Sequence, residues 1–357
     1  MTSGRVVVYA GRGSSHSWTW LADLLEARGA FDAVFVDEGS IHEHIEEGAS
    51  LVVVSGGDGF EIASALAPRG FAAIERFVRA GGLYIGVCAG AYLPLPSRVE
   101  PLDRFNLSTT RIRNLGEQGD FPVEESPRSG VSYGSCRIVH PVRGEVELGD
   151  GHRTFVAPVY GGPVFAEPEE DTVTLRYRSF TPRTLFQVDE RVAKDMVLGA
   201  PALISARVGD GTMTLAGPHL EHPRYPAANE EFARITRLSP TRRAGAPRDR
   251  ASGLDASVRK SLSDLKVAVL GMERESFLVG AKVWDAGRML ELANAVEKRS
   301  GSLDADTAQE ISCLLDKARE DLLSAGPLRA AYSDSAPSRL VEAARLCVDR
   351  HFEAMRG

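Results

Sequence analysis

The sequence lacks the features that define several large classes of protein. Its 357 residues hold only four cysteines, Cys88, Cys136, Cys313 and Cys347, and their separations match no zinc or disulfide framework. So few thiols suit a reducing cytoplasm. No apolar run approaches the length of a membrane span. The opening Met1-Thr-Ser-Gly-Arg leads directly into apolar, strand-like sequence and shows no leader pattern. Basic charge is in deficit, with 42 Lys+Arg against 49 Asp+Glu and a formal net charge of −7. That argues against a nucleic-acid partner. Walker A and dinucleotide fingerprints are both missing. The expectation is a cytoplasmic protein that uses no cofactor and no metal and meets neither nucleic acid nor membrane.

What is present is a nucleophile motif. Leu83 to Ile85 reads as a short buried strand, and it runs into Gly86-Val87-Cys88-Ala89-Gly90 followed by helix-forming sequence. This is a strand–turn–helix elbow with cysteine at the nucleophile position. The flanking glycines permit a sharp turn without a Cβ clash. A helix N-terminus beneath the thiol favours thiolate and a developing oxyanion. Gly-x-Cys-x-Gly also occurs as a plain Gly/Ala packing site, so the motif needs partners.

A thiol nucleophile requires a base, and the base requires an orienting acceptor. Thr212 to Ala216 alternates like a strand and is followed by Gly217-Pro218-His219-Leu220-Glu221-His222. In an extended segment residues i and i+2 share a side. Glu221 can therefore reach the His219 imidazole and fix its tautomer. His222 is out of phase with that face.

The third element is the apolar run Leu51 to Val54, which reads as a strand buried on both faces. It ends in Ser55-Gly56-Gly57-Asp58-Gly59. Such a turn can aim a backbone N–H at a reacting carbonyl oxygen, with Ala89 N–H as second donor. Phosphate binding is the other use of a glycine-rich turn. Gly56 and Asp58 flank the turn and are candidate substrate contacts. Arg12 and His16, after the first strand, could each meet a substrate carboxylate or simply face solvent.

Taken in order, Ser55-Gly-Gly-Asp-Gly59, Gly86-Val-Cys-Ala-Gly-Ala-Tyr92, Val159-Tyr-Gly-Gly-Pro163 and His219-Leu-Glu221 resemble the class I glutamine amidotransferase superfamily. Within it they are most similar to the biotin–protein ligase N-terminal domain family. The resemblance spans roughly residues 5–238. It implies Cys88 as nucleophile, His219 as base, Glu221 as orienter, and Gly57 with Ala89 as oxyanion donors. It also directs Tyr160, Gly161 and Gly162 at the pocket facing Cys88; a plain turn is the other reading of that stretch. Glutaminases of this superfamily carry Gln four residues after the nucleophile, where this chain has Tyr92. That substitution puts free glutamine in doubt and makes Tyr92 a substrate-pocket candidate. Nothing after residue 240 reads as a ligase module.

Elements alternate βαβα through the first hundred residues, which implies a parallel sheet. The glycine turn and Cys88 both fall at strand carboxyl ends, where such sheets bind ligands. Residues ~130–216 alternate, with hairpin signals at Gly149-Asp150-Gly151 and Gly209-Asp210-Gly211. The expected fold class is α/β: flavodoxin-like, a mostly parallel sheet with antiparallel β additions, followed by a C-terminal α-helical bundle. The expected domains are 1–238, a Pro/Gly/Arg linker at 239–253, and helices in 254–357. Helical runs are expected at 254–272, 276–299, 304–324 and 338–355, with Cys313 and Cys347 on buried faces and Cys136 packed in a strand. The bundle shows no recognisable chemistry and reads as an interaction or homo-oligomerisation module.

Two functions fit. The first is a Cys-His-Glu amidohydrolase or amidotransferase acting on a small-molecule or peptide amide, with a separate synthetase or acceptor enzyme if ammonia is transferred. The second is an amidotransferase-like binding or regulatory protein that acts with a partner.

Overall fold

The computed structural model describes residues 4–113, 131–133, 136–138, 140–238, 255–273, 275–280, 282–324 and 335–356. The linker expected at 239–253 lies outside them.

Four short apolar segments build the parallel half of a sheet: β1 (Arg5–Tyr9), β2 (Ala33–Val36), β3 (Ala49–Val54) and β4 (Leu83–Val87). Each is rich in β-branched residues and buried on both faces, as strands covered by helices on each side require. The antiparallel additions are β7 (Val142–Gly149), β8 (Thr154–Val159), β9 (Thr172–Phe186), β10 (Pro201–Val208) and β11 (Gly211–Ala216). A separate two-stranded piece pairs β5 (Val131–Tyr133) with β6 (Cys136–Ile138).

The nine-stranded order is β2-β1-β3-β4-β11-β10-β9-β7-β8. β11 turns back from β10 through the Gly209-Asp210-Gly211 hairpin, yet it pairs parallel to β4. This insertion decides the site. β3, β4 and β11 become three adjacent parallel strands, and their carboxyl ends carry Ser55-Gly56-Gly57, Cys88 and His219 respectively. Sequence alone placed those motifs at strand ends; the β4–β11 pairing puts them side by side.

Alternate residues of each strand enter different cores. Val7, Tyr9, Val52, Val54 and Tyr84 pack against α2 (Ile41–Glu46), α3 (Gly59–Leu66) and α4 (Arg69–Arg79). Val6, Val8, Phe35, Val53, Ile85 and Val87 face α1 (Trp18–Ala27), α6 (Glu190–Val197) and α7 (Pro226–Ile235). The one-turn α5 (Ala89–Tyr92) follows Cys88.

The C-terminal segment comprises α8 (Ala256–Gly271), α9 (Ala286–Arg299), α10 (Ala305–Ser324) and α11 (Ala336–Arg356). It joins the second core continuously: Phe352 lies 4.9 Å from Phe35 and 5.5 Å from Phe31, ring centroid to ring centroid. α11 also covers the open edge of β2, where the Phe35 N–H donates to Asp349 Oδ1 at 2.9 Å. An edge strand left bare would invite pairing with another chain. Arg299, only 1% exposed, donates to Asp23 at 2.5 Å and Glu26 at 2.8 Å on α1. The buried apolar stripes of these helices pack inside the chain, while Val267, Leu270, Leu323 and Met355 stay exposed on them.

Two readings of this segment need correction. Residues expected to start the second helix form instead a hairpin, β12 (Ser276–Val279) and β13 (Lys282–Asp285). Gly280 at its turn has φ of +60°, a left-handed conformation that breaks a helix and suits glycine. Cys313 is exposed on α10, whereas Cys347 is buried as expected.

Candidate active site

The elbow is strained at the cysteine itself. Cys88 has φ of +53° and ψ of −108°, a conformation L-residues rarely hold and one that functional sites stabilise. The glycines allow close approach more than unusual dihedrals. A Cβ on Gly86 would lie 2.4 Å from the Gly90 carbonyl oxygen, and one on Gly90 would lie 2.0 Å from that of Val54. Cys88 N–H is anchored on the Ala216 carbonyl at 2.9 Å, which ties the elbow to the strand that delivers the histidine. The helix expected beneath the thiol is a single turn, so its dipole contributes little.

His219 and Glu221 are both buried, at 3% and 1% exposure. His219 Nδ1 and Glu221 Oε1 are 2.7 Å apart. Glu221 Oε1 also accepts from Ser55 Oγ at 3.1 Å. Ser17 extends the chain: its Oγ is 3.0 Å from Ser55 Oγ and accepts from Gly56 N–H at 3.0 Å. The carboxylate is thus held by the glycine turn as well as by the imidazole. With Nδ1 committed to Glu221, Nε2 is the nitrogen left for the thiol. Gly56 makes room for the ring, since a Cβ there would sit 2.9 Å from His219 Cε1.

The electrostatics follow from this geometry. Burial pushes the Cys88 thiol up, but the charge and hydrogen bond of His219, with Lys282 beyond, outweigh it, and the net shift is below the ordinary thiol value. Burial likewise lowers His219, while Glu221 and the Cys88 thiolate raise it further, to a net value above ordinary imidazole. The pair therefore favours thiolate–imidazolium over thiol–imidazole.

The cavity above Cys88 has a volume of about 380 Å³. Among the sequence candidates, Gly56, Gly57, Asp58, Cys88, Ala89, Tyr160, Gly161 and His219 line it. Gly57 is bridged to Ser14 through its neighbours' groups, Ser15 N–H to Gly56 O and Asp58 N–H to Gly13 O. That pairing leaves the Gly57 N–H unused. Asp58 also caps α3, accepting from Phe60 and Glu61 N–H at 3.0 and 3.3 Å.

Glu221 lies behind His219, and two substrate-contact candidates also fall outside the lining. Tyr92 is buried and donates its hydroxyl to Gly161 O at 3.0 Å, so it acts as a strut beneath the 160–162 turn. Gly162 serves packing: a Cβ there would lie 2.0 Å from the Gly217 carbonyl oxygen. Arg12 pairs with Glu61 at 2.7 Å, away from this cavity, whereas His16 lines it.

Several lining residues were missed. Trp20 stands edge-on to His219 at 5.5 Å and packs on His222 at 4.2 Å, forming an aromatic wall with Tyr160. Its signal was weak, one of two tryptophans, Trp18 and Trp20, on an amphipathic helix. Lys282, Asp285, Arg288 and Glu291 come from the C-terminal hairpin and α9. The expectation that this segment stands apart from the site is therefore corrected. Among the described residues no cluster of metal-ligating side chains occurs, and no helix is long and apolar enough to cross a membrane.

Comparison with known proteins agrees with the motif resemblance. Residues 4–100 match the family described as biotin-protein ligase, N terminal. An uncharacterised protein of Chlamydia muridarum (strain MoPn / Nigg) is 28% identical over 252 residues, covering 65% of this chain and 86% of its own. Among solved structures, a thua-like protein from Bacteroides uniformis ATCC 8492 superimposes with a TM-score of 0.38 at 11% identity, covering 66% of this chain and 90% of that one. A β-galactosidase from Bacillus circulans sp. alkalophilus gives 0.35 at 12% identity, covering 65% of this chain but 31% of that one. The chain thus spans about a third of that galactosidase's length. Structural likeness at this level carries no functional information.

Proposed function

We propose that this chain is a cysteine-dependent amidase or amidotransferase-like enzyme that cleaves an amide C–N bond through Cys88, His219 and Glu221. The observation that carries the reading is the buried 2.7 Å contact between His219 Nδ1 and Glu221 Oε1, which leaves the opposite ring nitrogen to the thiol. In this reading Cys88 thiolate attacks the amide carbonyl. The oxyanion accepts from Gly57 and Ala89 N–H. Imidazolium His219 gives its proton to the departing amine nitrogen, leaving a thioester on Cys88. Water, or an acceptor amine, then gives a proton to His219 as it attacks the thioester. The acyl group leaves as acid or amide, and the thiolate returns. Glu221 holds the tautomer and balances the imidazolium.

The strand order β2-β1-β3-β4-β11 supports a flavodoxin-like, class I glutamine amidotransferase-like assignment for residues 1–238. Free glutamine is not the proposed substrate, because the Tyr92 phenol is committed to Gly161 and offers a substrate nothing in place of a glutamine side chain. A small-molecule or peptide amide fits the cavity, with a separate synthetase as partner if ammonia is passed on.

The test is a screen of amide substrates for ammonia or amine release, with thioester trapping by mass spectrometry. Release that disappears in Cys88→Ala, with an acyl adduct on Cys88, supports the enzyme. A Cys88 that forms no adduct with substrates or with electrophilic analogues contradicts it and leaves the ligand-binding reading.

A further inference from the structure

The C-terminal hairpin brings to the cavity a cation, Lys282, whose role the triad does not explain. Gly280, at the turn, rests on the N-terminus of α3: a Cβ there would lie 2.6 Å from Asp58 Oδ2 and 3.2 Å from Glu61 Cγ. The hairpin therefore docks against the glycine turn that faces Cys88. This docking brings Lys282, first residue of β13, into the cavity wall.

Among the described residues, Lys282 makes no hydrogen bond or ion pair with any carboxylate. Two of the three acids lining the cavity are already committed. Asp58 caps α3. Asp285 both caps α9 through Arg288 N–H at 3.0 Å and pairs with the Arg288 guanidinium. Arg143 and Arg224 add further cations to the lining, and Glu291 is its remaining acid. Burial and the neighbouring Arg288 lower the Lys282 pKa to about 8, the behaviour of an ammonium crowded by like charge. Lys282 is part-buried, and a cation drawn partly out of water with no carboxylate beside it is stabilised by an anion that completes it.

We propose that Lys282 is an anion-binding group that selects amide substrates carrying a carboxylate or similar oxyanion close to the scissile carbonyl. This rests on Cys88 being the nucleophile. The competing role for Lys282 is to stabilise the Cys88 thiolate alone, since its charge also reaches the sulfur. The two roles differ in one respect: only substrate binding distinguishes an anionic electrophile from a neutral one.

The experiment compares alkylation of Cys88 by iodoacetate and by iodoacetamide in the full chain, read by mass spectrometry. Both reagents displace iodide to form the same S–C bond and differ in charge. Lys282→Gln is expected to lower the iodoacetate-to-iodoacetamide rate ratio by about tenfold or more, the scale of one lost charge contact in a screened pocket. Lys282→Arg is expected to restore most of it, which separates charge from hairpin folding. A ratio unchanged in Lys282→Gln, with both rates lowered together, overturns the proposal and leaves thiolate stabilisation.

A second arm does not depend on Cys88 chemistry. Saturation-transfer NMR with succinate should show binding to the full chain that is lost in Lys282→Gln and retained in Lys282→Arg. Equal binding to all three overturns the anion site. If Cys88 reacts with neither reagent, the nucleophile reading fails separately and the succinate arm decides the anion site alone.

Discussion

Two cysteines of this chain are almost equally hidden and chemically opposite. Cys88 is 8% exposed and Cys347 is 0% exposed. Burial pushes the Cys347 thiol up to about 12, against a weak opposing pull from Arg299. It also pushes Cys88 up, yet His219 and Lys282 carry that thiol below its ordinary value. A cation stands near each sulfur, so proximity of charge is not the distinction. Arg299 is already neutralised by Asp23 and Glu26, and the Cys347 thiol donates to the Val296 carbonyl at 3.5 Å. Among the described residues Lys282 has no such carboxylate, and His219 faces Cys88 with one nitrogen still available. A buried thiol is activated by a cation with charge to spare; one whose charge is spent on structure leaves it inert.

The strongest way to sharpen this comparison is to remove the spent cation. Arg299→Met removes the buried partner of Asp23 and Glu26 across the α1–α9 contact and leaves them the more exposed Lys298, with His351 on Glu26. Both acids keep some water and a second cation, so the cost is roughly 1–2 kcal/mol, well below the range for breaking a fully buried pair. Urea unfolding should show it, while Cys347 stays unreactive in the folded chain. Unchanged stability would mean that Arg299 is not committed to docking. The same cluster sets an acid limit. Burial raises Glu26, but hydrogen bonding to His351 and the charges of Arg299 and Lys298 bring it down to about 2. A depressed carboxylate contributes stability that is full above its unfolded value near 4.5 and is lost as pH falls through about 2. Acid titration of thermal stability should show a loss in that window that is smaller in Arg299→Met; identical curves would remove Glu26 from the account.

Removing the active cation comes next. His219→Ala should slow iodoacetamide labelling of Cys88 at neutral pH by on the order of 10²-fold, bringing it toward the behaviour of Cys347. Labelling that is unaffected would break the comparison at its active end. Glu221→Gln keeps the shape but removes the charge that raises His219 and, as the smallest of the effects on it, the Cys88 thiol; the loss at His219 dominates. Cys88 labelling should then fall by about tenfold, the effect of roughly one pKa unit; a fall as large as that of His219→Ala would show that Gln misplaces the ring. The smallest effect expected is that of Tyr92→Phe. It loses the bond to Gly161 and should cost about 1 kcal/mol of stability, measurable as a small shift in the urea midpoint. A gain of glutaminase turnover in that variant would show that the phenol excludes glutamine directly.

Much of the site was legible because its chemistry is local. Gly86-x-Cys88-x-Gly90 and His219-x-Glu221 each fix a geometry within five residues, and the i, i+2 relation did put Glu221 on the imidazole. The parallel pairing of β11 with β4 was not legible, because nothing in Thr212 to Ala216 states which strand it joins. The C-terminal contribution was missed for a different reason. Leu278-Val279 and Val283-Trp284 suit a strand and a helix alike, and the run continues into the helical pattern up to Arg299. Gly280 was the available signal, a residue that costs a helix about 1 kcal/mol and serves a hairpin turn. Cys313 was misplaced because α10 is amphipathic and the cysteine lies on its wet face. Docking of Lys282 beside Cys88 depends on contacts nearly two hundred residues apart in sequence, which no local pattern encodes.

The most direct test of the account is the pH dependence of Cys88 alkylation by iodoacetamide in the folded full-length chain, with exposed Cys313 as internal reference. The account predicts that the Cys88 midpoint lies below the ordinary thiol value of about 8.5 and below that of Cys313, and that His219→Ala moves it up. A Cys88 midpoint at or above that of Cys313, unmoved by His219→Ala, would contradict the thiolate–imidazolium pair on which the proposed chemistry stands.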